Sequence, residues 1–168
     1  TGGTPLRLTP PGRFLGLLAT ASQAGAQSGD IVEVRSDRGV VAWLKQEPSI
    51  PMIAVSALWV QGGSVSDPAA LSGRANLVSG LLDEGSGELD SQAFQQRLDE
   101  LAVRLSFDAG RDSFSMSLQT LTGNAAEAFA LAGQAMTRPR FDEEPVERIR
   151  RQVLTGIARG VQDPNTIA

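Results

Sequence analysis

Gly73-Arg74-Ala75-Asn76-Leu77-Val78-Ser79-Gly80-Leu81-Leu82-Asp83-Glu84-Gly85-Ser86 reads as an amphipathic helix that stops in a glycine-rich turn. Leu77, Val78, Leu81 and Leu82 supply its apolar positions, and Gly85-Ser86-Gly87 ends it. Upstream, Asp67-Pro68 sets the start: an aspartate suits the cap and a proline the first helical position. Ala70 and Leu71 extend the apolar face in that direction. Before the helix, Met52 to Gln61 is rich in Ile, Val, Leu and Trp and reads as the most buried strand of the chain. Gly62-Gly63-Ser64 closes that strand.

On the N-terminal side, Asp30 to Arg35 alternates apolar and polar residues, a strand signal. Ser36-Asp37-Arg38-Gly39 is a hairpin-type turn, and Val40 to Lys45 is the return strand. Pro48 and Pro51 mark a break. On the C-terminal side a helix is predicted from about Ser91 to Arg104, with Phe94, Leu98 and Leu101 at near-helical spacing. Leu105 to Ala109 and Ser113 to Leu121 read as strands around Gly110-Arg111-Asp112. In the second of these, Phe114, Met116 and Leu118 alternate with Ser113, Ser115, Ser117 and Gln119, so one face is core and the other wet. An Ala-rich helix follows over Asn124 to Thr137, and Pro139 ends it. A last helix runs from Pro145 to about Gln162, with an acidic entry and Arg148, Arg150 and Arg151 in its middle, and Asp163-Pro164 closes it. Trp43 and Trp59 lie on strands and are expected in the core. The order predicts an α+β fold, a mostly antiparallel sheet with helices packed on one face.

Composition narrows the chemistry. The 168 residues are 41% hydrophobic and 20% charged, as in a globular protein, and suffice for one domain with a real core. A net charge of -4 without a basic patch argues against nucleic acid as a partner. There is no cysteine, hence no disulfide and no thiolate metal site. There is no histidine, which removes the usual neutral-pH base and the usual ligand of catalytic zinc. Tyrosine is absent as well. Residues 1–26 hold Arg7 and Arg13, the apolar run Phe14 to Ala19, and Ala24-Gly25-Ala26. That is the pattern of a secretory signal peptide and points to a periplasmic or secreted protein. The apolar run is too short to span a membrane.

The succession of strand, Gly62-Gly63 turn, Asp67-Pro68 and helix resembles the entry to the active site of the M16 metallopeptidases, the family of pitrilysin, insulin-degrading enzyme and mitochondrial processing peptidase. Other landmarks fall in the family's order: Arg38-Gly39 at the first hairpin, Gly85-Ser86, the Arg138-Pro139-Arg140-Phe141 break, and the Arg-rich helix before Asp163-Pro164. In that family the helix carries His-x-x-Glu-His. Two histidines one turn apart share a face and grip zinc, and the glutamate deprotonates a zinc-bound water. The three motif positions here are Asn76, Ser79 and Gly80. A further metal-binding glutamate maps to Thr155 or Gly156.

The resemblance therefore implies an M16-type metallohydrolase fold over residues 27–168, an N-terminal domain incomplete at its C-terminal end, with a degenerate zinc site and no cofactor of its own. It implies a non-catalytic subunit of a heterodimeric peptidase, completing the substrate chamber and holding peptide, with zinc only in the active partner subunit. The alternative is a scaffolding or peptide-binding module with no protease partner, as in the M16-like core subunits of respiratory complexes. An independent metal or acid–base site would have to come from Asp83, Glu84, Glu88 and Asp90, a cluster whose ordinary role is a solvated helix end. Arg148, Arg150 and Arg151 could meet an acidic partner, but Glu144 and Glu147 stand close enough along the helix to pair with them.

Overall fold

The computed structural model describes residues 31–160. The signal-like segment 1–26 and the Asp163-Pro164 stop lie outside the described residues. The chain divides into two units at Pro51 and Met52. In the first, β1 (Ile31–Arg35) pairs antiparallel with β2 (Val41–Lys45), Glu33 opposite Trp43. The turn between them closes through Ser36, whose backbone carbonyl accepts from Gly39 at 2.9 Å. Gly39 sits at φ +82°, a conformation that glycine adopts without a Cβ penalty. Trp43 is 80% exposed on this hairpin, contrary to its expected place in the core. A two-stranded ribbon has one side-chain layer on each face, so a large ring on it is buried only by another element.

The second unit contains β3 (Met52–Val60), α1 (Arg74–Ser79), α2 (Ser91–Glu100), β4 (Arg104–Ala109), β5 (Ser113–Leu121), α3 (Ala125–Thr137) and α4 (Glu143–Gly160). Its sheet has the order β3-β5-β4, antiparallel throughout. Leu118 of the central strand lies opposite Val55 on one side and Leu105 on the other. Leu105, Met116 and Leu118 share a face, and on it pack Phe94 and Leu98 from α2 and Ala128, Leu131, Ala132 and Ala135 from α3. Phe94 and Leu118 are fully buried. The alanines of α3 let that helix lie close to the sheet, and the helices cover one face, as the α+β reading requires.

Two expectations need correction. Among the described residues β3 is an edge strand, not the most buried one. Ile53, Val55 and Ala57 are half-buried on the core face, while Met52, Leu58, Trp59 and Val60 are exposed. Its apolar content is spread over both faces, and the helices cover only one. The helix predicted from Pro68 to Glu84 is also broken. Short 3-10 turns occupy Ser64–Ser66 and Ala69–Leu71, and the α-helix is confined to Arg74–Ser79. Asp67 still caps it, from a distance: its carboxylate accepts from the backbone N–H of Gly73 at 3.0 Å and of Ala75 at 3.1 Å. Gly63 explains the detour. A Cβ there would lie 2.4 Å from the carbonyl oxygen of Gly110, so the chain passes directly against the β4–β5 turn and bonds to it through Ser64 and Val65.

Candidate functional site

The site is built where α1 ends and α4 passes over it. Helix α1 stops at Gly80, whose N–H bonds to the carbonyl of Asn76. The next residues turn through Asp83-Glu84 into Gly85, at φ +113°, and Gly87, at φ +56°. This turn is tied to the segment that precedes α4. Gly87 N–H donates to the Arg138 carbonyl at 2.9 Å, and Arg140 N–H donates to the Gly85 carbonyl at 3.2 Å. Two landmarks far apart in sequence are thus one paired structure. Across it, Arg148 of α4 forms an ion pair with Glu84, whose side chain is 13% exposed and also accepts from the Ser91 hydroxyl. Glu84 holds the Arg148 guanidinium more firmly protonated than an isolated arginine. Asp83 is turned inward, and burial pushes its carboxyl above the ordinary range.

At the motif positions the chemistry of a metal site is missing. Asn76 is exposed. Ser79 is buried and spends its hydroxyl on the Asn76 carbonyl, 2.8 Å away within its own helix. Gly80 has no side chain, and a Cβ there would stand 3.0 Å from Cγ2 of Ile149 on α4. The isoleucine methyl occupies the space into which a second histidine would project. On α4, Thr155 donates to the carbonyl of Arg151 at 2.8 Å, and Gly156 faces open space. A hollow of about 510 Å³ along α4 is lined by Gln152, Thr155, Gly156 and the arginines Arg148, Arg151 and Arg159. Their charge is opposite in effect to what a divalent cation needs. Among the described residues no three Asp, Glu, His or Cys side chains converge as metal ligands. The residues present do not fit zinc.

The acidic cluster does not come together as a site. Asp90 caps α2 through the N–H of Ala93 at 2.8 Å, Glu84 faces Arg148, and the Glu88 side chain is 95% exposed. The arginines of α4 pair largely as the spacing suggests. Arg148 lies 3.4 Å from Glu144, Arg150 3.0 Å from Glu147, and Arg151 donates to the Glu147 backbone carbonyl at 3.2 Å. The Glu84–Arg148 pair was not visible in the sequence, because its members are 64 positions apart.

The second feature is the free side of β4. This strand ends the sheet, so one of its backbone edges is unpaired among the described residues. It runs beside α1. A cleft of about 440 Å³ lies at β4, lined by Gln95, Leu98 and Asp99 of α2, Arg104 to Ser106 of β4, and Ser117 and Gln119 of β5. An exposed strand edge beside a groove is a template for an added strand.

The family model of the insulinase peptidases, peptidase family M16, matches residues 43–167. The chain belongs to the M16 peptidase family. A Helicobacter pylori protein named non-peptidase homolog YmxG is 26% identical over 157 residues, covering 93% of this chain and 36% of that protein. In fold, the chain is similar to a peptidase M16 inactive domain from Pseudomonas fluorescens, with a TM-score of 0.72 and 24% identity over 82% of this chain and 34% of that one. It is also similar to a Helicobacter pylori protease, with a TM-score of 0.67 and 17% identity over 83% of this chain and 33% of the other. The M16 domain described here spans about a third of the length of these relatives. At the three positions aligned with the family's zinc motif this M16 domain carries Asn76, Ser79 and Gly80. Among the described residues no helix is long and apolar enough to cross a membrane.

Proposed function

We propose that this chain is the zinc-less subunit of a two-part M16 peptidase, completing the substrate chamber of an active subunit and holding peptide in extended form. The observation that carries the reading is the free edge of β4 beside a helix α1 that has no metal ligands. A peptide that pairs with β4 is held by main-chain hydrogen bonds, so this side of the chamber needs no catalytic group. Zinc then belongs to the partner alone. The basic N-terminal segment with its Ala24-Gly25-Ala26 ending, and the absence of cysteine, support a periplasmic or secreted location.

The test mixes the purified chain with an M16 protein that carries an intact His-x-x-Glu-His motif, sought first in the adjacent gene, and measures association and peptide cleavage. The chain alone is expected to be inert and free of stoichiometric zinc, and the mixture to form a heterodimer that cleaves faster than the active subunit alone. The name non-peptidase homolog carried by one relative favours a second reading, a peptide-binding module without a protease partner. Peptide binding without any heterodimer would favour that one. Stoichiometric zinc with cleavage by the chain alone would sink both.

A further inference from the structure

We infer that the β4 edge selects its peptide by charge, taking strands with a basic residue followed four positions later by an acidic one. The inference rests on the reading that β4 holds extended peptide. Along a strand, alternate side chains share a face. Leu105 is buried toward α2 and Phe107 is half-buried, so Arg104, Ser106 and Asp108 form the opposite, outward row. All three are exposed. Among the described residues neither Arg104 nor Asp108 has an ionic partner, although most arginines of this unit do. Their direct neighbours on β5 are uncharged: Gln119 stands opposite Arg104 and Ser115 opposite Asp108. Asp99 lines the same cleft from α2, which packs on the Leu105 side of the strand. The outward row thus presents a cation at one end, a hydroxyl in the middle and an anion at the other.

Antiparallel pairing is the slightly stronger arrangement per residue, and it fixes the order of a complementary peptide. The N-terminal side of the peptide lies opposite Asp108 and must be basic. The residue opposite Ser106 is small and polar, and the residue opposite Arg104 is acidic. The two residues between them face the Leu105 and Phe107 side and are apolar. Lys-Val-Thr-Val-Glu satisfies every position. Opposite charges facing each other across neighbouring strands favour pairing, and like charges oppose it. Two pairs, matched or reversed, therefore separate the sequences by roughly tenfold in affinity.

The experiment measures fluorescence anisotropy of three labelled peptides with the full chain at low salt: Thr-Lys-Val-Thr-Val-Glu-Thr, the reversed Thr-Glu-Val-Thr-Val-Lys-Thr, and a version with Gln at both charged places. The expected order is Lys-first tightest and Glu-first weakest, and the doubly swapped variant Arg104→Glu/Asp108→Lys inverts it. Both positions are exposed, and circular dichroism checks that the variant folds. Equal binding of all three peptides overturns the charge selection and leaves the strand-edge reading standing. A preference for the Glu-first peptide overturns the antiparallel assignment. Absence of binding by any peptide removes the edge reading itself.

Discussion

Replacing Gly80 by histidine asks whether the second motif position is merely vacant or closed. The Cβ of the new residue would stand 3.0 Å from Cγ2 of Ile149, whereas carbon atoms are at ease near 3.5–4.0 Å. The ring beyond that Cβ needs the volume the isoleucine holds. Ile149 must leave its rotamer or α4 must shift, and forcing extra atoms into packed space costs about 1–3 kcal/mol. Against this, leaving glycine for histidine in a helix returns only a fraction of the ~1 kcal/mol helix penalty of glycine. Gly80 has φ -76° and ψ -4°, so no left-handed strain complicates the comparison. The expected result is a net loss of about 1–2 kcal/mol in urea unfolding of the purified chain. The cause is tested by a cycle with Ile149→Ala, which opens the space. Gly80→His should cost clearly less in that background, with a coupling of roughly 1 kcal/mol. If Gly80→His is as stable as the parent, or if the two changes simply add, Ile149 does not close the position and the reasoning fails.

Other outcomes follow from single contacts. Leu118→Ala empties a fully buried place on the central strand and should cost about 2–5 kcal/mol by urea unfolding, enough to threaten folding altogether. Asp90→Ala removes the cap of α2 and should cost about 1 kcal/mol, whereas Glu88→Ala, on an almost fully exposed side chain, should leave the midpoint unchanged. Asp83 has a carboxyl whose pKa burial raises, so its protonated form is the one the fold favours. Its native pKa lies above the unfolded value, so the favourable contribution is present below the ordinary aspartate pKa of 3.8 and is lost as pH rises through the native pKa. Asp83→Asn should therefore raise stability at pH 7 relative to its effect at pH 3, read from thermal melts at both; an advantage that does not shrink on acidification would contradict this.

Local pattern was readable wherever a single element decides its own periodicity. The alternation from Ser113 to Leu121 gave β5 its bounds and its buried face, because a strand with one covered side leaves a period-two trace. The Ala-rich run gave α3, and the first turns of α2 stood where the Phe94 and Leu98 spacing put them. The assignment of Asn76, Ser79 and Gly80 to the zinc-motif positions rests on the resemblance alone, since periodicity carries no trace of a ligand that is not there. Sheet order was not legible. Ile53 to Val60 is apolar enough for a central strand, and nothing in a linear run says on how many sides it pairs. The shortening of α1 was hidden for a similar reason. Asp67 and Pro68 look like an immediate start, while the carboxylate in fact reaches N–H groups six and eight residues further on, around a 3-10 detour that Gly63 and the β4–β5 turn impose. The polar link between Glu84 and Arg148 belongs to the same class, being set by the closing of the fold rather than by any neighbour in sequence.

That link has a consequence for how this part of the molecule tolerates change. What keeps α4 against the end of α1 is the Glu84–Arg148 pair together with the backbone bonds from Gly85 and Gly87 to the 138–140 segment. None of those groups is a metal ligand, so helix placement does not draw on a bound ion. The four motif positions then fall into two kinds. Asn76 and the fourth position, Thr155 or Gly156, are exposed, and many side chains fit there at no cost to the scaffold. Ser79 and Gly80 are enclosed, one buried and one pressed by Ile149. In a library of all single substitutions scored only for folding, positions 76, 155 and 156 would be permissive and 79 and 80 restrictive, a fingerprint set by packing rather than by catalysis.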